Sequence, residues 1–134
     1  MASDVSLIRT MVVDDSPRFL RTICSFLLQY KSVDVVATAS GAMDALRAVD
    51  RLKPDLVLLD FRMPLVNGLE ATAQIRRRSP ATNVVIITGY DSAELREASI
   101  ESGALAFIPK LYVSRELPHL LNKIAASLGS AEAH

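Results

Sequence analysis

Apolar positions along the chain fall into two recurring patterns. Five short runs, 7–13, 33–39, 55–59, 83–88 and 105–109, are rich in β-branched residues, and each has the length of a strand. Between them apolar residues return every three or four positions, as one face of an amphipathic helix requires. Leu117, Leu120, Leu121, Ile124 and Leu128 make the clearest such stripe. Boundary residues agree with this division. Ser16 followed by Pro17 predicts a cap and first turn for the first helix, Ser40 and Ser92 predict caps for the second and fourth, and Gly103 and Gly129 predict C-terminal stops. The predicted order is strand then helix, repeated five times.

Strict alternation implies a parallel sheet covered on both faces, and Val12-Val13 and the run 56–59 are continuously apolar, as strands buried on both sides are. The predicted class is α/β, three-layered, (βα)5. Two strand orders are common for such a sheet, the flavodoxin-like 2-1-3-4-5 and a Rossmann half. Both bind ligands beyond the carboxyl ends of the strands, at the switch point. A dinucleotide site would place glycines after the first strand, whereas Asp14-Asp15-Ser16-Pro17 stands there and would repel a pyrophosphate. The flavodoxin-like order is therefore expected.

Composition narrows the function. The 134 residues, half of them hydrophobic, suit one compact domain over 1–129, with 130–134 as a flexible tail. Fifteen basic residues balance fifteen acidic ones, so no global field draws the domain to nucleic acid or an anionic membrane. Charges interrupt every apolar run well before the roughly 20 residues of a membrane span. Cys24 is the single cysteine and has no internal partner, and residues 1–4 lead into the first strand without a signal-peptide core, so a cytoplasmic location is expected. Cys24, Met11 and Met43 sit in apolar patterns and read as core, and His119 reads as surface. Arg76, Arg77 and Arg78 close the third helix, where cations favour the negative end of the dipole, and read as that rather than as a nucleic-acid patch.

The strand ends carry the chemistry. Asp14-Asp15 follows the first strand, Asp60 the third, Thr88 the fourth and Lys110 the fifth. In the order 2-1-3-4-5 the first and third strands are neighbours, so three carboxylates meet. Two like charges about 4 Å apart cost on the order of 4 kcal/mol at an effective dielectric near 20, and a hard cation relieves that strain. Magnesium suits the set, because it takes one or two carboxylates, keeps several waters and shares its octahedron with phosphate oxygens. One carboxylate is then free as a nucleophile, with the Lys110 ammonium and the Thr88 hydroxyl to neutralise and orient a transferred group.

Asp14-Asp15, Asp60 with Met63-Pro64 and Gly68 behind it, Thr88-Gly89, and Phe107 three residues before Lys110 closely resemble the pattern of response-regulator receiver domains. The resemblance runs from about Leu7 to Leu128, and the stretch 103–110 is similar to receivers attached to helix-turn-helix transcription regulators. It implies that Asp60 is phosphorylated by a histidine kinase or phosphotransfer protein. It also implies that Mg2+ is held by Asp15, Asp60, Asp14 through water and the backbone carbonyl of Arg62, and that Thr88 and Phe107 are switch residues. The chain would then be no enzyme beyond its own phosphotransfer and dephosphorylation. When Thr88 moves to the phosphoryl group, Phe107 would turn inward and alter the face of the fourth helix, fifth strand and fifth helix, which would control an output domain or partner, or a homodimer. Two features depart from the pattern. Leu111 follows Lys110 where many receivers carry a cis proline, so the resemblance does not define that loop, and the switch aromatic is Phe107 rather than tyrosine. Arg62 and Tyr90, two positions beyond Asp60 and Thr88, are bulky enough to shield a phosphoryl group from water.

Singly, these residues have simpler explanations. Asp14-Asp15 could cap a helix, although Ser16 already fits that role; Thr88 could be an ordinary strand end, Lys110 a solvated lysine, and Asp60 the start of a turn. Their joint placement at four strand ends argues against those readings. Rival functions fit less well. A phosphatase with an aspartyl nucleophile resembles an Asp-x-Asp pattern on the first strand, a flavin phosphate wants donors there rather than carboxylates, and a receiver used only as an unphosphorylated interaction module would have broken sites.

Overall fold

The apolar runs become a single parallel sheet. In the computed structural model, which describes residues 7–63 and 66–132, the elements are β1 (Ile8–Val13), α1 (Pro17–Leu27), β2 (Val33–Ala39), α2 (Ala42–Leu52), β3 (Leu56–Asp60), α3 (Gly68–Arg78), β4 (Asn83–Thr88), α4 (Ala93–Glu101), β5 (Ala106–Pro109) and α5 (Val113–Glu132), with a 3-10 turn at Lys110–Tyr112. The order is β2-β1-β3-β4-β5, every pair parallel, as expected. The central strand β3 is buried at all its positions, which its unbroken apolar sequence foreshadows.

Side-chain alternation along the strands divides the core into layers. On one face Ile8, Val12, Leu56, Leu58, Val85, Ile87 and Ile108 pack against Ile23 and Leu27 of α1 and the α5 stripe Leu117, Leu121 and Ile124. On the other, Met11, Val13, Val57, Leu59 and Val84 meet the small inner face of α2 and Ala71 and Ile75 of α3. The fourth helix has no comparable seam. Ser99 is its only buried residue, and Leu95 joins a small cluster with Ile86, Ala104 and Phe107.

The helix boundaries test the sequence reading. Ser16 and Ser92 cap as predicted, accepting from the amides of Phe19 and Leu95. Gly103 takes the left-handed conformation, φ 109°, just past α4. Ser40 does not cap: Gly41 is the N-cap of α2, and no side chain bonds to the helix there. Gly129 does not stop α5, which runs to Glu132 and so includes much of the predicted tail. Its φ is not positive, and without a left-handed residue nothing breaks the ladder. Met43, read as core, is 53% exposed on the outer side of α2, because Ala42, Ala45, Leu46 and Val49 already supply the inward face.

Candidate functional site

The turn after β1 builds the first part of the site. The Ser16 amide donates to Asp14 Oδ1 at 2.8 Å, and the Ser16 hydroxyl in turn receives the Phe19 amide. This Asx-type turn pulls Asp14 into the fold and leaves Asp15 exposed. The second part is the end of β3, where Asp60 is 6% exposed. Its loop is held by the Gly68 amide donating to the Phe61 carbonyl at 2.8 Å, and a side chain at 68 would sit 2.8 Å from Phe61 Cα. Glycine is therefore required where α3 meets the loop. Asn67 caps α3 by accepting from the amides of Leu69 and Glu70. That cap went unread, although Asn67 and Glu70 three residues on have the capping-box spacing. Pro64 of the receiver-like motif, and Leu65 after it, lie outside the described residues.

Every predicted strand-end residue arrives at the same end of the sheet. Oxygens of Asp14, Asp15 and Asp60 lie within 4.8 Å of one another. Lys110 Nζ stands 3.2 Å from Asp14 Oδ2 and 3.8 Å from Asp60 Oδ1. At 3.2 Å the first pair is close enough for charge attraction, yet Asp14 Oδ2 is buried and has no aligned hydrogen-bond donor. Burial, then the nearby Asp14 charge, pushes the Asp60 carboxyl up from 3.8 to about 6, against the opposing pull of Lys110 and the Arg62 backbone N–H. Thr88 is fully buried at the end of β4, its hydroxyl accepting from the Tyr90 amide at 3.3 Å. Arg62 and Tyr90 are both exposed and stack on each other, with the guanidinium carbon 4.8 Å from the ring centroid. Asp15, Arg62 and Asn67 line an open cavity beside the acidic cluster.

Two contacts were not legible in the chain. The Lys110 ammonium sits over the Phe19 ring, 4.0 Å from its centroid. The Arg96 guanidinium covers Phe107 at 4.8 Å and donates to the Phe107 carbonyl at 3.3 Å. That second contact bears on the expected switch aromatic, whose position in this structure is inward. Phe107 is already inward, 3% exposed and packed on Ile86 and Ala104, because the cation seals it from above. After β5 the chain turns at once into the 3-10 segment Lys110–Tyr112, which leaves Leu111 88% exposed.

The family profile described as response regulator receiver domain matches residues 10–122. The chain is 32% identical over 119 residues to the chemotaxis protein CheY of Listeria monocytogenes, covering 89% of this chain and 99% of that protein. It is 36% identical over 107 residues to protein-glutamate methylesterase/protein-glutamine glutaminase 4 of Hahella chejuensis, covering 78% of this chain but only 27% of that one. The crystal structure of a LuxR-family two-component response regulator from Aurantimonas superposes with a TM-score of 0.85 at 30% identity, covering 91% of this chain and 87% of that one. Among the described residues no helix is long and apolar enough to cross a membrane.

Proposed function

Because this chain belongs to the response-regulator receiver family, we propose that it takes a phosphoryl group from a histidine kinase or phosphotransfer protein onto Asp60 and uses that modification as a cytoplasmic switch. The observation that carries this reading is the meeting of Asp14, Asp15 and Asp60 within 4.8 Å, with Lys110 Nζ beside them. Asp60 is the nucleophile, placed by the central strand and nearly enclosed. One of its carboxylate oxygens forms the bond to phosphorus while the bond from phosphorus to a donor histidine nitrogen, or to the bridging oxygen of acetyl phosphate, breaks. The electron pair of that bond leaves with the donor. Lys110 draws the charge of the equatorial oxygens, and the Thr88 hydroxyl donates to one of them once the phosphoryl group is in place.

The donor set fits magnesium. It is all oxygen, its carboxylates lie within the reach of one ion, and Asp14 Oδ2 is buried without a hydrogen-bond donor. Asp15 and Asp60, Asp14 through water and the backbone carbonyl of Arg62 would hold the ion, which when bound neutralises oxygens of the transferred group. Incubation with acetyl phosphate and magnesium should add one phosphoryl mass, and Asp60→Asn should abolish it. Equal labelling of the variant would remove Asp60 from the role.

The regulated surface is the face of α4, β5 and α5, which would meet an output domain, a partner or a second copy of the chain. Its support is the light anchoring of α4, which buries one residue, together with the Arg96 contact that ties this helix to Phe107. Thr88 and Phe107 are the switch residues of this reading: Thr88 moves to the phosphoryl group, and the inward place of Phe107 is the one that movement favours.

A further inference from the structure

We propose that Phe19 is a positioning residue for phosphoryl transfer: its ring seats the Lys110 ammonium within reach of an incoming phosphoryl group while holding it off the Asp60 nucleophile. The inference rests on the roles assigned above to Asp60 and Lys110, and it begins from an imbalance in the geometry. A lysine ammonium has three donors, and two nearly buried carboxylates lie next to Lys110. A hydrogen-bonded pair would place nitrogen and oxygen at about 2.7–2.9 Å. Lys110 Nζ is instead 3.8 Å from Asp60 Oδ1, and its 3.2 Å approach to Asp14 Oδ2 is not aligned as a hydrogen bond. The remaining neighbour is the face of Phe19, 4.0 Å away, well inside the range of a cation–π contact.

Local structure explains how the ring gets there. Ser16 caps α1 through the Phe19 amide itself, and Pro17 sets the first turn. Phe19 is thereby fixed at the amino end of α1, half-buried against the core layer that also holds Ile108 of β5. Lys110 leaves β5 into a tight 3-10 turn, and its side chain reaches back across that layer. The ring is thus the seat of the ammonium beside the two acids.

The chemical consequence concerns the nucleophile. An ammonium bonded to Asp60 would occupy the lone pair that must attack phosphorus, and moving it away would add to the barrier. Over the Phe19 face the charge still lowers the field at the site, and the ammonium itself, 3.8 Å from Asp60 Oδ1, ties up no Asp60 lone pair before transfer. A cation–π contact at a partly exposed position corresponds to about a two- to fivefold effect on rate.

The test has two arms. In the wild type, ring current should shift the Lys110 Hε protons upfield of those of Lys31, Lys53 and Lys123, and Phe19→Leu should remove that shift. Phosphorylation by acetyl phosphate in saturating magnesium should slow about two- to fivefold in Phe19→Leu, with magnesium affinity unchanged, and Phe19→Tyr should restore the rate. Unshifted Lys110 protons in the wild type, an unaltered rate in Phe19→Leu, or no rescue by Phe19→Tyr would overturn the proposal. The underlying reading fails separately. If Lys110→Ala phosphorylates as fast as the wild type, the error lies in the role of Lys110, whatever the proton shifts show.

Discussion

At the scale of single residues, Asp60 concentrates the conflict on which the chemistry depends. In the proposed transfer its carboxyl would attack phosphorus in the ionised form, yet burial and the adjacent Asp14 favour the protonated one. The sign of the resulting pH dependence follows. An acid whose folded pKa lies above its unfolded value binds more protons in the fold, so stability is lost as pH rises between the two values. In chelator the fold should therefore weaken from pH 3.8 to about 6, by on the order of 3 kcal/mol for this one group, and stay weakened above. Asp60→Asn should melt higher than the wild type at pH 8 in chelator, with the gap closing toward pH 4. Thermal melts across that range check it, and a gap that widens on acidification would contradict the electrostatic account. Of the residues involved, Asp14, Asp15, Asp60, Thr88 and Lys110 were legible in the chain, because together they stand at the ends of four apolar runs. Phe19 and Arg96 were not. They act through partners about 91 and 11 positions away, and a pattern read along one dimension carries no record of which side chains the fold brings face to face.

At the scale of elements, period and composition identified the strands and the helices, their alternation implied a parallel sheet, and Asp14-Asp15 after the first strand implied its order. The errors lie at ends, where one hydrogen bond decides the outcome. Gly41 rather than Ser40 caps α2, and α5 passes through Gly129, because exposed termini are governed by small local energies that the apolar pattern does not register. The contrast between helices matters more for function. Helices α1, α2, α3 and α5 each bury a seam, while α4 buries Ser99 and leans on Leu95 and the Arg96 clamp. An element so lightly packed opens at low cost and suits a responsive surface. Beryllofluoride with magnesium, standing in for the phosphoryl group, should change amide exchange across 92–102 in the wild type. In Thr88→Ala the ligand should bind without that change, since the hydroxyl proposed to couple the group to β4 is gone. An equal response in the variant would remove Thr88 from the switch.

At the scale of the whole molecule, the layered sheet converts separate strand ends into one site. Neighbouring β1 and β3 bring the acids together, and β4 and β5 add the hydroxyl and the ammonium from the same side. The opposite, lightly anchored α4 edge is continuous with β4 and β5, so a change at Thr88 has a short path to the surface. The chain covers nearly all of CheY and about a quarter of a methylesterase, so the same scaffold stands alone in one relative and forms part of a longer protein in the other. The central claim is that one particular carboxylate among three becomes the acyl phosphate. Phosphorylation with acetyl phosphate and magnesium, reduction with borohydride and peptide mass mapping would locate it, because reduction converts a phosphorylated aspartate to homoserine. Homoserine at position 60 alone is the predicted result, and homoserine at position 14 or 15 with Asp60 unmodified would contradict the account.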